Sequence, residues 1–391
     1  MKIEIVDMDH NGSGIGRYNG KVIFVPKTVP GDIVLVSAYK KYKNYEVVKV
    51  NKIIKYSELR VPTKCIYYDI CGGCNISNLD YSKQLEFKVN KVKNIFLKYL
   101  NILVEPKVID SMDKYKYRNK ITYHNKLNLG LIGEFDDVIN ISECQLVSDK
   151  VNEVFNEIKK KDISQVKEVS IRECDNGIIL SVDGSLNIDR LKEMCLSIYL
   201  NNKCVYKKED GYIYIGDIKY IISKNSFFQI NTSNISRLYD EIVRYGSFSK
   251  DDRVIDLYCG VGSISLYVSG YVRSVLGIEI CEDAILDAKK NAVINNINNV
   301  EFLCGDVSKI IDNNISCDVL IVDPPRSGID KHSSSIINNS NISKIIYVSC
   351  NPMTLVRDIK YLDNYDITDI SVVDMFPQTH HCESITVLER R

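Results

Sequence analysis

The sequence IDLYCGVG at residues 255–262 decides how the C-terminal half of the chain should fold. An apolar run ends at Asp256, and Gly260 and Gly262 then turn the chain into a predicted helix. Glycines at such a turn let the backbone approach a ligand, and an acid at a strand end can accept hydrogen bonds from an amine or hydroxyl group. Three further predicted strands lead into acidic residues: Glu279, Asp306 and Asp323. This repetition predicts a nucleotide-type pocket at one edge of a parallel sheet.

The residues around the glycine turn narrow the choice of ligand. The third glycine of the dinucleotide fingerprint is missing and no phosphate-binding lysine follows, so neither a dinucleotide nor ATP fits well. Glu279 comes about twenty residues after Asp256, near the distance at which a doubly wound fold presents a carboxylate to a ribose. A ligand with ribose, adenine and an amino-acid end fits better. The segment therefore resembles the nucleotide-binding half of a class I methyltransferase, which uses S-adenosylmethionine.

The composition is that of a globular chain. Its 391 residues, 45% hydrophobic and 26% charged, suffice for two or three domains. No apolar run approaches the roughly 18 residues that a membrane span requires, and the first residues lack a signal-peptide pattern. We therefore expect a cytoplasmic protein, with no membrane association and no obligate protein partner. Its thirteen cysteines then indicate reduced thiols, metal ligands or a nucleophile rather than disulfides.

Short runs of alternating apolar and polar residues, divided by glycine and proline turns, fill residues 1–58. Such close spacing predicts a small β-barrel. Residues 1–64 hold twelve Lys or Arg against six Asp or Glu, and the stretch Tyr39–Tyr45 interleaves cations with aromatic rings, which suits contacts with RNA. This part resembles a TRAM domain, a barrel found on RNA-modifying enzymes. The pattern alone would equally fit a protein–protein adaptor.

Three cysteines, Cys65, Cys71 and Cys74, lie within ten residues and indicate metal ligands. The C-x2-C half would suit zinc. The full C-x5-C-x2-C loop lacks the paired spacing of a zinc ribbon, so a fourth ligand must come from elsewhere. After this loop, Tyr81–Leu100 has the periodicity of an amphipathic helix, and we expect its lysines to form a solvent-exposed face.

Two residues near the C-terminus are candidates for chemistry. Cys350 follows the predicted strand Lys344–Ser349 and precedes a proline turn, which is where α/β folds place their sites. A buried, inert thiol is the usual alternative for a cysteine in a strand. Further on, a proline turn, two histidines and Glu383 precede the last predicted strand.

Five motifs in this order resemble the RNA uracil-C5 (5-methyluridine) methyltransferase family: FFQIN at 227–231, DLYCGVG at 256–262, DPPR at 323–326, SCNP at 349–352 and MFPQTHHCE at 375–383. The resemblance implies an α/β, Rossmann-like class I methyltransferase domain with an N-terminal TRAM-like barrel and a central α+β iron-sulfur domain. The expected boundaries are 1–58 for the barrel, 59–76 with 109–226 for the central domain, and 77–108 with 227–391 for the methyltransferase domain.

The resemblance also assigns roles to single residues. Cys350 would add to C6 of uracil as a thiolate, and Glu383 would remove the C5 proton after methyl transfer. His380 and His381 would lie near the flipped base in a supporting role. The residues expected to line the S-adenosylmethionine site are Gln229, Tyr258, Glu279, Asp306 and Asp323, with Asp256 as a further candidate.

For the cysteine loop, the resemblance implies a [4Fe–4S] cluster held by Cys65, Cys71, Cys74 and Cys144, with a structural or RNA-docking role. The barrel favours 23S ribosomal RNA as substrate, and a transfer RNA T-loop uridine is the alternative. Radical enzymes that use S-adenosylmethionine have a C-x3-C-x2-C loop instead. A non-catalytic RNA-binding iron-sulfur protein is the alternative of another class. Arg326 disfavours amine methylation, because those enzymes carry Asp/Asn-Pro-Pro-Tyr at this point.

Overall fold

The computed structural model describes residues 1–224, 226–311 and 315–391. Asn225, just before the FFQIN motif, lies outside the described residues. No helix in these three ranges is both long and apolar enough to cross a membrane.

Six strands form the N-terminal part: β1 (Lys2–Glu4), β2 (Asp7–Met8), β3 (Gly14–Tyr18), β4 (Lys21–Val25), β5 (Ile33–Lys41) and β6 (Tyr45–Lys55). They pair in the order β1-β5-β6-β4-β3-β2. The Val6 N–H donates to the Ile15 carbonyl at 2.8 Å, which brings the first strand beside the third and curls the sheet into a barrel. Alternate apolar side chains fill its interior, as the period of the sequence predicts.

Helix α1 (Tyr81–Leu100) has the bounds that its periodicity predicts. It begins where the Asp80 side chain accepts the Ser82 N–H at 2.9 Å, and it ends at Asn101 in a left-handed conformation. Strand β7 (Lys107–Ile109) follows. The expected solvent-exposed lysine face is wrong in one respect. Lys88 is 0% exposed, because its ammonium group pairs with the buried carboxylate of Asp374.

The central part is a seven-stranded sheet with two helices and a hairpin. The sheet order is β10-β9-β8-β11-β12-β13-β14. Its strands are β8 (Lys120–Asn125), β9 (Leu129–Ile132), β10 (Val138–Ile139), β11 (Val166–Cys174), β12 (Gly177–Gly184), β13 (Ser197–Leu200) and β14 (Lys203–Lys207). The helices are α2 (Asp149–Lys159) and α3 (Leu191–Met194), and the hairpin is β15 (Gly211–Ile215) with β16 (Ile218–Ile222).

The C-terminal part alternates helices and strands around an eight-stranded sheet of order β19-β18-β17-β20-β21-β23-β22-β7. Its strands are β17 (Arg253–Leu257), β18 (Ser274–Glu279), β19 (Val300–Cys304), β20 (Val319–Val322), β21 (Lys344–Ser349), β22 (Tyr365–Val373) and β23 (Glu383–Arg390). Its helices are α4 (Thr232–Gly246), α5 (Ser263–Ser269), α6 (Glu282–Ile294), α7 (Val307–Ile310), α8 (Lys331–Asn339) and α9 (Pro352–Ile359).

The direction of these strands decides where the site can form. Strands β17 to β21 run parallel, and their order reverses between β17 and β20, which is the switch point where such sheets bind ligands. Strand β23 runs antiparallel to β21, so its first residue lies at the edge where the parallel strands end. Apolar clusters cover both faces of the sheet, and the apolar face of α1 packs into one of them.

Candidate active site

The glycine turn after β17 has the backbone geometry that its sequence predicts. Tyr258, Gly260 and Gly262 have φ values of 64°, 55° and 76°, in the left-handed region. A Cβ atom on Gly262 would lie 2.6 Å from the ring of Phe302, so this position requires glycine. By contrast, nothing lies within 4 Å of the Cβ position of Gly260, so the turn leaves open space beside its backbone at the switch point of the sheet.

Two of the predicted acids have carboxylates held at the ends of their strands. Glu279 accepts the Gly260 N–H at 3.2 Å and the Cys281 N–H at 2.9 Å, so its side chain borders the glycine turn. Asp306 caps α7 by accepting the backbone N–H and the hydroxyl of Ser308, at 3.0 and 2.8 Å. Both carboxylates lie at the edge where the sequence places a nucleotide-type pocket.

Asp256 lies inside β17 rather than at its end, and it is fully buried. Its Oδ2 accepts the Ser265 hydroxyl at 2.6 Å, whereas Oδ1 has no partner in the described part of the chain. Burial raises the pKa of this carboxyl group to about 7. Burial, reinforced by the charge of Asp256, also raises the pKa of Asp323, which follows β20. Through Ser265, Asp256 is bound to helix α5, which follows the glycine turn.

Gln229 lies where the central part meets the C-terminal part. Its carbonyl group accepts the Asn119 side-chain N–H at 2.9 Å, and its side chain is half-buried. Next to it, Asn119 donates its backbone N–H to the Ile230 carbonyl at 2.8 Å. The backbone of the FFQIN motif is therefore tied to the central part.

The pairing of β21 with β23 places the two candidate chemical groups side by side. Ser349 pairs with Ser384, so Cys350 and Glu383 occupy the next positions at the same edge. Glu383 is 2% exposed and Cys350 is half-buried. Since the two strands are antiparallel, residues that are distant in sequence meet at one end of the sheet.

Burial and the charges of neighbouring residues shift the pKa values of Cys350 and Glu383. Burial, followed by the negative charges of Glu383 and Asp323, raises the pKa of Cys350 to about 11. Burial and the charge of Asp323 raise the pKa of Glu383 well above its usual value. The guanidinium group of Arg326 acts in the opposite direction on both groups. Arg326 therefore stabilises the thiolate and the carboxylate, a role that the DPPR motif alone did not reveal.

His380 and His381 lie in the segment that precedes Glu383. Burial lowers the pKa of His380 to about 3 and that of His381 to about 4, so both rings are neutral at pH 7. His380 Nδ1 lies 2.8 Å from the side-chain oxygen of Asn75. Asn75 directly follows the cysteine loop, and no feature of the sequence predicted this contact.

The four candidate cluster ligands, Cys65, Cys71, Cys74 and Cys144, line one cavity of about 600 Å³. Burial raises the pKa of Cys144 to about 11 and also raises that of Cys71 and Cys74. In the described ranges, no three or more His, Cys, Asp or Glu side chains are placed to hold a metal ion. Four thiols around one cavity do have the donor chemistry of a [4Fe–4S] cluster. The cluster itself stays a prediction.

A lysine from the barrel reaches this loop. Lys27 donates to the carbonyl groups of Cys71, at 2.7 Å, and Cys74, and it pairs with Glu134 at 3.1 Å. Its side chain is 7% exposed. No pattern in the sequence predicts this contact, because a single lysine in a turn is usually solvated.

Comparisons with known proteins agree with this architecture. The family described as tRNA (uracil-5-)-methyltransferase matches residues 198–391, and the TRAM domain family matches residues 1–45. An uncharacterized RNA methyltransferase of Halalkalibacterium halodurans is 31% identical, over 100% of this chain and 96% of its own length. One of Caldanaerobacter subterraneus is 32% identical, over 100% and 98%.

One solved structure matches over almost the whole chain. It is the tRNA (uracil-54, C5)-methyltransferase of Pyrococcus abyssi in complex with S-adenosyl-L-homocysteine. The TM-score is 0.81 at 27% identity, and the match covers 99% of this chain and 100% of the other.

Proposed function

This chain belongs to the RNA uracil-C5 methyltransferase family, in the form that carries a TRAM domain, and we propose that it methylates C5 of a uridine in 23S ribosomal RNA. The observation that carries the proposal is the register of β21 against β23, which sets the thiol of Cys350 beside the carboxyl group of Glu383. Both groups lie at the sheet edge that also holds the glycine turn. The proposed nucleophile, the proposed base and the glycine turn thus lie at one edge of the sheet.

Each of the two residues has one step in the proposed reaction. C5 of uracil is a poor nucleophile, so the Cys350 thiolate first adds to C6, and the electrons of the C5–C6 double bond become available at C5. S-adenosylmethionine, when bound, would supply an electrophilic methyl group: C5 bonds to it as the methyl–sulfonium bond breaks, and S-adenosylhomocysteine leaves. The Glu383 carboxylate then accepts the C5 proton, the sulfur–C6 bond breaks, and the double bond reforms. Arg326 favours the ionised form of both side chains.

The S-adenosylmethionine site would use the five residues that the family resemblance and the strand-then-acid pattern indicate. Glu279, fixed at the end of β18 by its bonds to the Gly260 and Cys281 N–H groups, would accept hydrogen bonds from ribose hydroxyl groups. Tyr258 and Gly260, which are only partly buried, would present backbone to the ligand. Gln229, Asp306 and Asp323 would complete the lining. The S-adenosyl-L-homocysteine in the Pyrococcus abyssi structure supports this choice of ligand.

We further propose that Cys65, Cys71, Cys74 and Cys144 hold a [4Fe–4S] cluster. Support comes from the cavity that all four thiols line and from the burial of Cys71, Cys74 and Cys144, which raises the pKa of these three thiols. Binding to iron would stabilise the thiolate form. Iron content and absorbance of protein purified without oxygen test this. We expect Cys74→Ser to lose both, whereas the exposed Cys204→Ser should keep them.

The identity of the RNA is a choice between two substrates. The barrel favours ribosomal RNA, whereas the action of the Pyrococcus abyssi enzyme on transfer RNA favours a T-loop uridine. Protein would be incubated with methyl-labelled S-adenosylmethionine and either unmodified 23S ribosomal RNA or transfer RNA, and digests examined for 5-methyluridine. Label in ribosomal RNA alone, lost in Cys350→Ala, is the expected result. Label in transfer RNA alone would overturn the substrate, and label in neither would favour a non-catalytic RNA-binding role.

A further inference from the structure

Residues 374–382 connect β22 to β23 and end directly at Glu383. Gln378, in the middle of this segment, is 3% exposed and has a φ of 71°. Residues other than glycine rarely adopt this left-handed conformation, and they keep it only where their surroundings hold them. The segment that leads to Glu383 therefore depends on contacts from outside.

Hydrogen bonds from three other segments hold Gln378. Its carbonyl group accepts the backbone N–H groups of Asn75 and Ile76, at 3.1 and 3.3 Å. Its backbone N–H donates to Gln84 Oε1 at 2.9 Å, and its Oε1 accepts from Gln84 Nε2 at 3.1 Å. Its Nε2 donates to the Lys114 carbonyl at 3.3 Å. Each backbone and side-chain polar group of Gln378 is thus bound to a residue distant in sequence.

The same segments hold the neighbours of Gln378. Lys88, also on α1, donates to the Phe376 carbonyl at 2.9 Å, and Tyr117 donates its hydroxyl to the Pro377 carbonyl at 3.0 Å. Asn75, which follows Cys74 directly, also contacts His380. The cysteine loop, α1 and residues 374–382 are therefore one hydrogen-bonded unit.

From these contacts we infer that Gln378 is a positioning residue for Glu383, and that the cysteine loop supports the active site through it. The inference rests on the proposed function, because it takes Glu383 to be the base. Glu383 begins β23 at the point where the segment ends, so loosening Gln378 shifts its carboxyl group relative to Cys350. A general base acts only within hydrogen-bond reach of the proton that it removes.

Gln84→Leu tests the inference, since it removes both side-chain bonds to Gln378 and leaves Gln378 itself unchanged. The same substitution at the exposed Gln165 is the matched control. Hydrogen exchange of the full chain, followed by mass spectrometry, should show faster exchange in residues 374–383 for Gln84→Leu but not for Gln165→Leu. Exchange equal to that of the unaltered protein would overturn the inference. Gln84→Glu keeps an acceptor for the Gln378 N–H, so its exchange rate in residues 374–383 should lie between those of Gln84→Leu and the unaltered protein.

Kinetics separate positioning from a general loss of structure. With RNA that the unaltered protein methylates, we expect the kcat of Gln84→Leu to fall about 10- to 100-fold with little change in KM. A covalent protein–RNA adduct should accumulate, because proton removal precedes release of the thiolate. A lower kcat without any adduct would overturn the positioning role. Absence of methylation by the unaltered protein would count against the proposed function instead, while the exchange experiment still tests the contact.

The link between the cysteine loop and residues 374–383 can be tested without an activity assay. In Cys74→Ser, exchange should become faster both around the loop and in residues 374–383. Faster exchange around the loop alone would show that the two are independent, and this would overturn the link.

Discussion

The ion pair between Lys88 and Asp374 is buried, so breaking it should cause a large loss of stability. Both side chains are 0% exposed, and Lys88 Nζ lies 2.5 Å from Asp374 Oδ1. The hydroxyl of Tyr81 donates to Oδ2 at 2.9 Å. Lys88→Met keeps an apolar side chain of similar length but leaves the aspartate buried without its cation.

Removing one partner of a buried ion pair typically costs about 3–5 kcal/mol, because the charge that remains is buried without compensation. We therefore expect Lys88→Met to lower the free energy of unfolding by about 4 kcal/mol.

Chemical denaturation at pH 7 measures this effect, with Lys83→Met as the control. Lys83 lies on the same helix and pairs with Glu86 at 2.7 Å, but the two side chains are 48% and 55% exposed. Breaking that pair should cost about 0.5 kcal/mol or less. The double variant Lys88→Met/Asp374→Asn should regain most of the lost stability. Equal losses for the two lysine variants would refute the reasoning.

Three further predictions concern the site. Gly262→Ala should destabilise the fold by about 1–3 kcal/mol, because the added Cβ meets the ring of Phe302. Gly260→Ala should cost only about 1 kcal/mol, because the space around its Cβ position is open. Thermal unfolding measures both losses, and equal losses would contradict this prediction. Cys350→Ala should abolish both methyl transfer and the covalent RNA adduct, and the exposed Cys204→Ala should retain both, as gel analysis with labelled RNA can show. The raised pKa values of Cys350 and Glu383 mean that their ionised forms increase with pH, so the rate should rise between about pH 6 and pH 9, and a flat profile would contradict this.

Much of the fold could be predicted because its signals are local. The bounds of α1 follow from its periodicity, and the barrel strands follow from alternation between turns. The strand-then-acid pattern placed Glu279 and Asp306 at one edge, since parallel strands all end there. The exception was Asp256, which lies within its strand, because strand ends are set by pairing with neighbours that the sequence does not display.

The sequence by itself determined the helices and strands and the glycine turn. Its motifs indicated the family and, through the family, the proposed chemistry. Only the tertiary structure decided which groups meet. The position of β23 between β21 and β22 places Glu383 beside Cys350. The buried Lys88 pairs with the carboxylate of Asp374, which lies 286 positions away in the sequence. Local patterns encode backbone conformation and the face that is buried. Contacts between distant segments depend on strand order, register and packing, which arise only when the whole chain folds.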